Sequence, residues 1–340
     1  MSPGLASLLK NIQPAGVILF GRNIVSPEQT YRLLRDCQAQ VAPPLFRCVD
    51  LEGGKVDRLR NVIGPAPAPA EVFATGDRKL FRKHGRVIGE NCRVVGLNVD
   101  FAPTVDLAFE ASKSVLSSRA VSVDPRETIV YAREFLAGLG ETGVLGCGKH
   151  FPGLGEATLD SHHELPVIEK SWKKLWDQDL VPYRTLRRQL PFVMVSHGAY
   201  PSVTREPTPA SLSAKWITDI LRKKIRYRGL IASDDLEMGG VLAAAPIEQA
   251  AVQHIRAGGD LCLICHQEEF VSRSHAELIR EVERDRKFAR RAAESARRVL
   301  AFKNKAKGLG RWVKPPTSEV VDRLSRRLWE FSEQVRLGGL

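Results

Sequence analysis

Seven short apolar runs, at residues 17–20, 46–49, 97–101, 144–147, 192–195, 230–232 and 261–265, constrain this chain more than any other feature. Each has the length and composition of a strand buried on both faces, and helical patterns separate one from the next. Ser26-Pro27-Glu28-Gln29 supplies a helix N-cap, a proline at the first helical position and a capping-box Gln. Asp124-Pro125-Arg126-Glu127 is a similar device. Ser213 precedes Trp216, Ile217, Ile220 and Leu221, spaced for one face of a helix. Strand and helix in repeated alternation give an α/β class with a parallel sheet.

Where the polar residues fall decides between an open sheet and a barrel. Asp50 follows the second run, and the third leads to Pro103 and Asp106. Lys149 and His150 follow the fourth, Ser196 and His197 the fifth, and Ser233, Asp234 and Asp235 the sixth. Five strands thus deliver polar groups at their C-terminal ends. In a (β/α)8 barrel these ends share one face, where active sites form. An open doubly wound sheet would gather them at one switch point, and no GxGxxG is present. A barrel domain over 1–306 is expected. The breakers Lys307-Gly308-Leu309-Gly310 and Pro315-Pro316 open a segment, 307–340, made of a linker and a C-terminal helix. Its stripe of Val321, Leu324, Leu328, Phe331 and Val335 is suited to docking. One helical stretch over 268–305 should complete the barrel.

The chain's net charge of +12 raises the question of nucleic acid. Basic residues are nevertheless dispersed among acids, and the densest cluster, 284–298, has the spacing of a solvated helix face. No nucleic-acid partner is expected. Neither an export signal nor an apolar window long enough to cross a bilayer is visible, so a cytoplasmic protein away from membranes is expected. Of six cysteines, four lie in apolar runs as small buried hydrophobes. Cys262-Leu263-Ile264-Cys265-His266 matches the c-type haem attachment pattern, but it reads better as a buried strand ending in a polar His.

The stretch Lys149-His150-Phe151-Pro152-Gly153-Leu154-Gly155, followed by Asp160, Ser161, His162 and His163, gathers cationic, imidazole and carboxylate groups on one loop. A carboxylate facing an acid/base group across a cleft is what glycoside hydrolysis requires. The pair Asp234-Asp235 and His162 offer such a couple, with Asp160 placed to orient the imidazole. Residue types alone leave two other chemistries open: Lys149 as a Schiff-base lysine, or the His and Asp residues as metal ligands.

Taken together, KHFPG at 149–153, DSH at 160–162, GVILFGRNI at 16–24, VDLEGGKVDRLR at 49–60, NVDFAPTVDL at 98–107, SSRAVSVDP at 117–125, MVSHGAYP at 194–201 and GLIASDDLEM at 229–238 resemble glycoside hydrolase family 3, and within it the NagZ-type β-N-acetylglucosaminidases. The resemblance implies Asp234 as nucleophile, His162 as acid/base and Asp160 as its dyad partner. It implies sugar-binding roles for Asp50, Arg58, Arg119, Lys149 and His150, with His197 and Met238 lining the pocket. Asp235 and His163 are structural neighbours. The implied activity is retaining exo-hydrolysis of N-acetylglucosamine from cell-wall muropeptide-type glycosides, with a carbohydrate as the partner and neither cofactor nor metal. Another β-glycosidase of the family, a phosphorylase, or an inactive sugar-binding barrel are the alternatives. Two departures stand out. Leu154 replaces a histidine common in this loop, and the chain opens inside a helix at 4–12, so the barrel is expected to lack its first strand.

Overall fold

The computed structural model describes residues 1–157, 165–306 and 308–339. Its strands are β1 (Gly16–Leu19), β2 (Phe46–Val49), β3 (Leu51–Gly53), β4 (Val56–Asp57), β5 (Val99–Asp100), β6 (Cys147–Phe151), β7 (Phe192–Val195), β8 (Leu230–Asp235) and β9 (Leu261–Leu263). β1, β2 and β5 form one parallel sheet, and β6 to β9 form another in sequence order. Parallel bridges Val99–Leu145 and Thr104–Lys149 join the two. The Val105 N–H, donated to the Lys149 carbonyl at 2.8 Å, secures the same junction. Among the described residues no ladder joins β9 back to β1. The seven parallel strands therefore make a TIM-like α/β array open at one seam.

Three expectations shift in detail, and one hairpin is an addition. The run at 144–147 starts too early: β6 is Cys147–Phe151, so Lys149 and His150 belong to the strand itself. The residues at 51–57 form a small antiparallel hairpin, β3–β4, whose turn carries Gly53 and Gly54 at positive φ. The helix expected over 268–305 is two, Glu268–Arg284 and Arg286–Lys305, because Asp285 leaves the helical conformation and caps the second through the Lys287 and Phe288 N–H groups. The helix following Ser213 runs over Lys215–Lys224 and ends in a wide turn, the Ile225 N–H reaching back five residues to Ile220. The C-terminal helix, Ser318–Gly338, buries Leu324, Leu328, Phe331 and Val335 as expected.

Period-two alternation sorts the side chains of each strand into an interior and an exterior set. Phe46 and Cys48 of β2, Val99 of β5, Cys147 of β6, Phe192 and Met194 of β7 and Leu230 of β8 form one interior cluster. Ile18, Leu261 and Leu263 pack against it. The same alternation, carried on by two residues, aims Asp50, Lys149 and Asp234 into the layer directly above that apolar plug. The interior core thus supports the site from beneath.

On the exterior, Val49, Leu51 and Tyr131 share a cluster with the helices Arg78–Val94, Pro125–Glu141 and Ser318–Gly338. The first two of these helices lie very close. A Cβ on Gly85 would stand 1.9 Å from the Phe135 carbonyl oxygen, and one on Gly138 would stand 2.0 Å from that of Arg82. At the opposite end of the array from the polar layer, Arg47 is buried with no carboxylate paired to it among the described residues. It donates to the Gly96 and Leu309 carbonyls and lies over the Trp312 ring at 3.9 Å, which clamps the chain leading to the last helix.

Candidate active site

The C-terminal ends of β2, β5, β6 and β8 converge on one charged cluster. Lys149, almost fully buried, places its Nζ 2.7 Å from Asp50 Oδ1 and 2.7 Å from Glu52 Oε1. Glu52 also accepts two bonds from the Arg119 guanidinium, at 2.9 and 2.8 Å, and one from the Thr104 hydroxyl at 3.1 Å. Burial alone would raise the Glu52 carboxyl, but Arg119 and Lys149 outweigh it and hold that group well below the usual carboxylate range. For Lys149 the signs reverse. Burial would lower its ammonium, and Asp50 with Glu52 holds it well above the ordinary lysine value. Paired to two carboxylates, Lys149 is stabilised as a cation, which disfavours it as a Schiff-base amine.

His150 joins the cluster from the next position of β6. Its Nδ1 lies 2.7 Å from Asp106 Oδ2, which also accepts the His150 backbone N–H at 3.0 Å. Asp106 Oδ1 accepts the Leu154 N–H at 2.8 Å. The remaining nitrogen, Nε2, faces an Arg119 N–H at 3.3 Å. A carboxylate only accepts, so the Nδ1–H is directed at Asp106. Leu154 keeps its backbone in this network and packs its side chain into the apolar cluster around Phe151, Ile168 and Tyr200. Its replacement of a polar residue therefore leaves the strand end in place.

Asp234 sits across from this group, half-buried at the end of β8. Its Oδ1 accepts the Asp235 N–H at 2.9 Å. Burial pushes its carboxyl up, but the neighbouring His150 and His197 rings, that N–H and Lys149 pull harder, and the net shift is downward. The carboxylate is thus ionised at neutral pH. His197, fully buried, lies 2.7 Å from the Ser211 hydroxyl and 2.8 Å from the Asp235 carbonyl. Met238, also buried, caps the short helix Gly239–Leu242 that follows β8. Arg58 stands apart from the hydrogen-bonded cluster. It is half-buried, its Nε is a buried donor without a partner among the described residues, and its guanidinium lies 5.8 Å from the Phe20 ring centroid. Asp160, His162 and His163 lie outside the described residues.

Two residues of the cluster went unassigned from sequence. Glu52 is the hub for Lys149 and Arg119, and Asp106 orients His150. Asp106 was visible as a charge at a strand end; Glu52 was hidden inside a glycine-rich hairpin. No group of three or more His, Cys, Asp or Glu suited to a metal occurs among the described residues. Among the described residues no helix is long and apolar enough to cross a membrane.

A parallel α/β array carrying an aspartate and a cation–carboxylate cluster at its strand ends suits an enzyme of the TIM-like class, and glycoside hydrolysis is a chemistry such a site can support. Residues 1–302 match the family model described as glycosyl hydrolase family 3 N terminal domain, and the chain belongs to that family. It is 38% identical over 260 residues to a protein named beta-hexosaminidase from Bordetella avium, covering 74% of this chain and 73% of that one. A protein of the same name from Pseudomonas aeruginosa is 35% identical over 272 residues, covering 80% and 79%. A family 3 beta-N-acetylglucosaminidase structure from Paenibacillus sp. superposes with a TM-score of 0.89 at 30% identity. The match covers 97% of this chain and 65% of that longer one.

Proposed function

We propose that the chain is a retaining exo-β-N-acetylglucosaminidase that removes terminal N-acetylglucosamine from muropeptide-type glycosides through a covalent ester on Asp234. The assignment rests on one observation above the others: Asp234, its carboxyl drawn down by Lys149 and its other neighbours, shares the strand-end face with the buried Lys149–Glu52–Arg119 ion cluster. Asp234 attacks the anomeric carbon and the sugar–oxygen bond breaks, with the proton for the departing oxygen coming from His162 and Asp160 stabilising that imidazole. Water then reverses the sequence, with His162 as base. Asp50, Lys149, His150 and Arg119 bind sugar hydroxyls, and the unpartnered Arg58 Nε supplies a further donor. His197 and Met238 shape the pocket wall. The array behind this site is of the (β/α)8 type, with the helix Ser318–Gly338 packed against it. A pocket that pairs the acetamido group penalises a sugar lacking it. Hydrolysis of an aryl N-acetyl-β-glucosaminide, compared with the β-glucoside, tests the assignment. Strong preference for the aminosugar is expected, and equal kcat/KM on the two contradicts it.

A further inference from the structure

The matched haem-type pattern found no use in the fold, since Cys262 and Leu263 lie in and beside the interior of the array. Its last residue does have a structural task. His266 lies just beyond β9, at the open seam, and touches both sides of it. Its Nε2 is 3.1 Å from Asp235 Oδ2, on β8. Its ring packs on Phe20, at the end of β1, with centroids 5.4 Å apart and planes tilted by 34°. Beside it, Arg22 donates to the Cys265 carbonyl at 2.8 Å and covers the other part of Phe20, 4.6 Å from its centroid. Where backbone ladders fail to join β9 to β1, these side chains tie the two ends together.

Asp235 is the residue that holds Asp234. Its N–H is donated to Asp234 Oδ1 at 2.9 Å, and its carbonyl accepts from His197 at 2.8 Å. Its own carboxylate is gripped by His266 on one oxygen and by the Glu237 N–H, at 3.1 Å, on the other. Glu237 in turn accepts the His266 and Gln267 N–H groups, at 2.6 and 3.2 Å, so the two loops are laced in both directions. Resting on the assignment of Asp234 as nucleophile, we propose that His266 is a positioning residue: it latches the open seam and fixes Asp235 so that the Asp234 carboxylate keeps its orientation. Neither His266 nor Asp235 touches the sugar in this role.

Asp235 is surrounded by Asp234 and Glu237 from β8 and its loop, and by His266 and the Cys265 thiol from the loop after β9. Arg22 and Arg58 stand further off around Phe20. Burial raises its carboxyl to about 6, with Glu237 and Asp234 pushing the same way and His266 opposing them. Removing the His266 ring takes away a partner that favours the carboxylate, so Asp235 takes up a proton at higher pH, which loosens its hold on the Glu237 N–H.

The test is the pH dependence of kcat and KM for His266→Ala and His266→Gln on an aryl N-acetyl-β-glucosaminide. Because the pair is half-exposed, His266→Ala should lose about two- to fivefold in kcat with KM nearly unchanged. The acid limb of its kcat/KM profile should move to higher pH. His266→Gln keeps a donor but no charge, so it should recover most of kcat while retaining the shifted limb. Should the Ala variant fold poorly, the Gln variant still carries the shifted limb. Wild-type kcat and acid limb in both variants overturn the proposal, as does a loss confined to KM. Asp234→Asn separates the two levels: turnover retained there sinks the nucleophile assignment and the latch together. A dead Asp234→Asn beside wild-type His266 variants sinks the latch alone.

Discussion

The two sides of the candidate cleft are built on different principles. On the β2–β6 side, Lys149, Glu52, Arg119, Asp50, Asp106 and His150 saturate one another, and nearly every charged atom has a partner within 3.3 Å. On the β8 side, Asp234 has one hydrogen bond among the described residues, from the backbone of its neighbour. A saturated cluster is rigid and keeps its charge, which suits recognition of a sugar in a fixed pose. A carboxylate held by one N–H, at the end of a strand beside an open seam, retains lone pairs for attack. The contrast separates holding from reacting.

The sharpest way to break that contrast is to remove the reacting group. Asp234→Asn is expected to abolish turnover on every aglycone, a loss on the order of 10⁴-fold or more measured by kcat, with folding intact. His162→Ala should cost about 10²- to 10⁴-fold on a sugar leaving group and far less on an activated aryl glycoside, with azide restoring the slow breakdown step. Wild-type activity of that variant on a natural oligosaccharide would remove His162 from the chemistry.

The holding side should respond chiefly in stability. Glu52→Gln strips Lys149 and Arg119 of their shared counter-charge inside the protein, and about 3–5 kcal/mol of destabilisation is expected, read by urea unfolding. The same group makes the fold sensitive to acid. Its carboxyl lies below the unfolded value, so its contribution is complete above pH ~4.3 and is lost as pH falls toward the folded value. A comparable acid sensitivity comes from His84, buried against Tyr131 with its ring lowered to about 3 by burial. The unfolded chain binds that proton first, so stability should fall by about 1.4 kcal/mol per pH unit between pH ~6.5 and 3 from this residue. His84→Gln should flatten that part of the curve.

Much of both sides was legible in sequence because strand ends announce themselves: an apolar run followed by Asp50, by Lys149 and His150, or by Asp234. Helix starts at Pro27 and Pro125 followed directly from cap chemistry. The hub was not legible. Glu52 lies in a hairpin where Gly53 and Gly54 signal a turn and a carboxylate looks solvated, and only the fold shows it buried between two cations. His266 was set aside with its haem-like pattern because its partners, Asp235 and Phe20, are 31 and 246 residues away in the chain. The start of β6 was misplaced because Val144 and Leu145 are as apolar as a strand. Leu145 meets β5 through a single bridge at Val99, before the ladder to β7 begins at Cys147.

The most direct test of the central claim is to trap the ester. Incubation with an activated fluoro-sugar that glycosylates the enzyme quickly and leaves it slowly should add one sugar mass to the intact protein. Peptide mapping should then place it on Asp234, with no label on the Asp234→Asn variant. A label on Asp235 or any other carboxylate, or rapid turnover with no covalent species in the wild type, would contradict the division between a holding side and a reacting side.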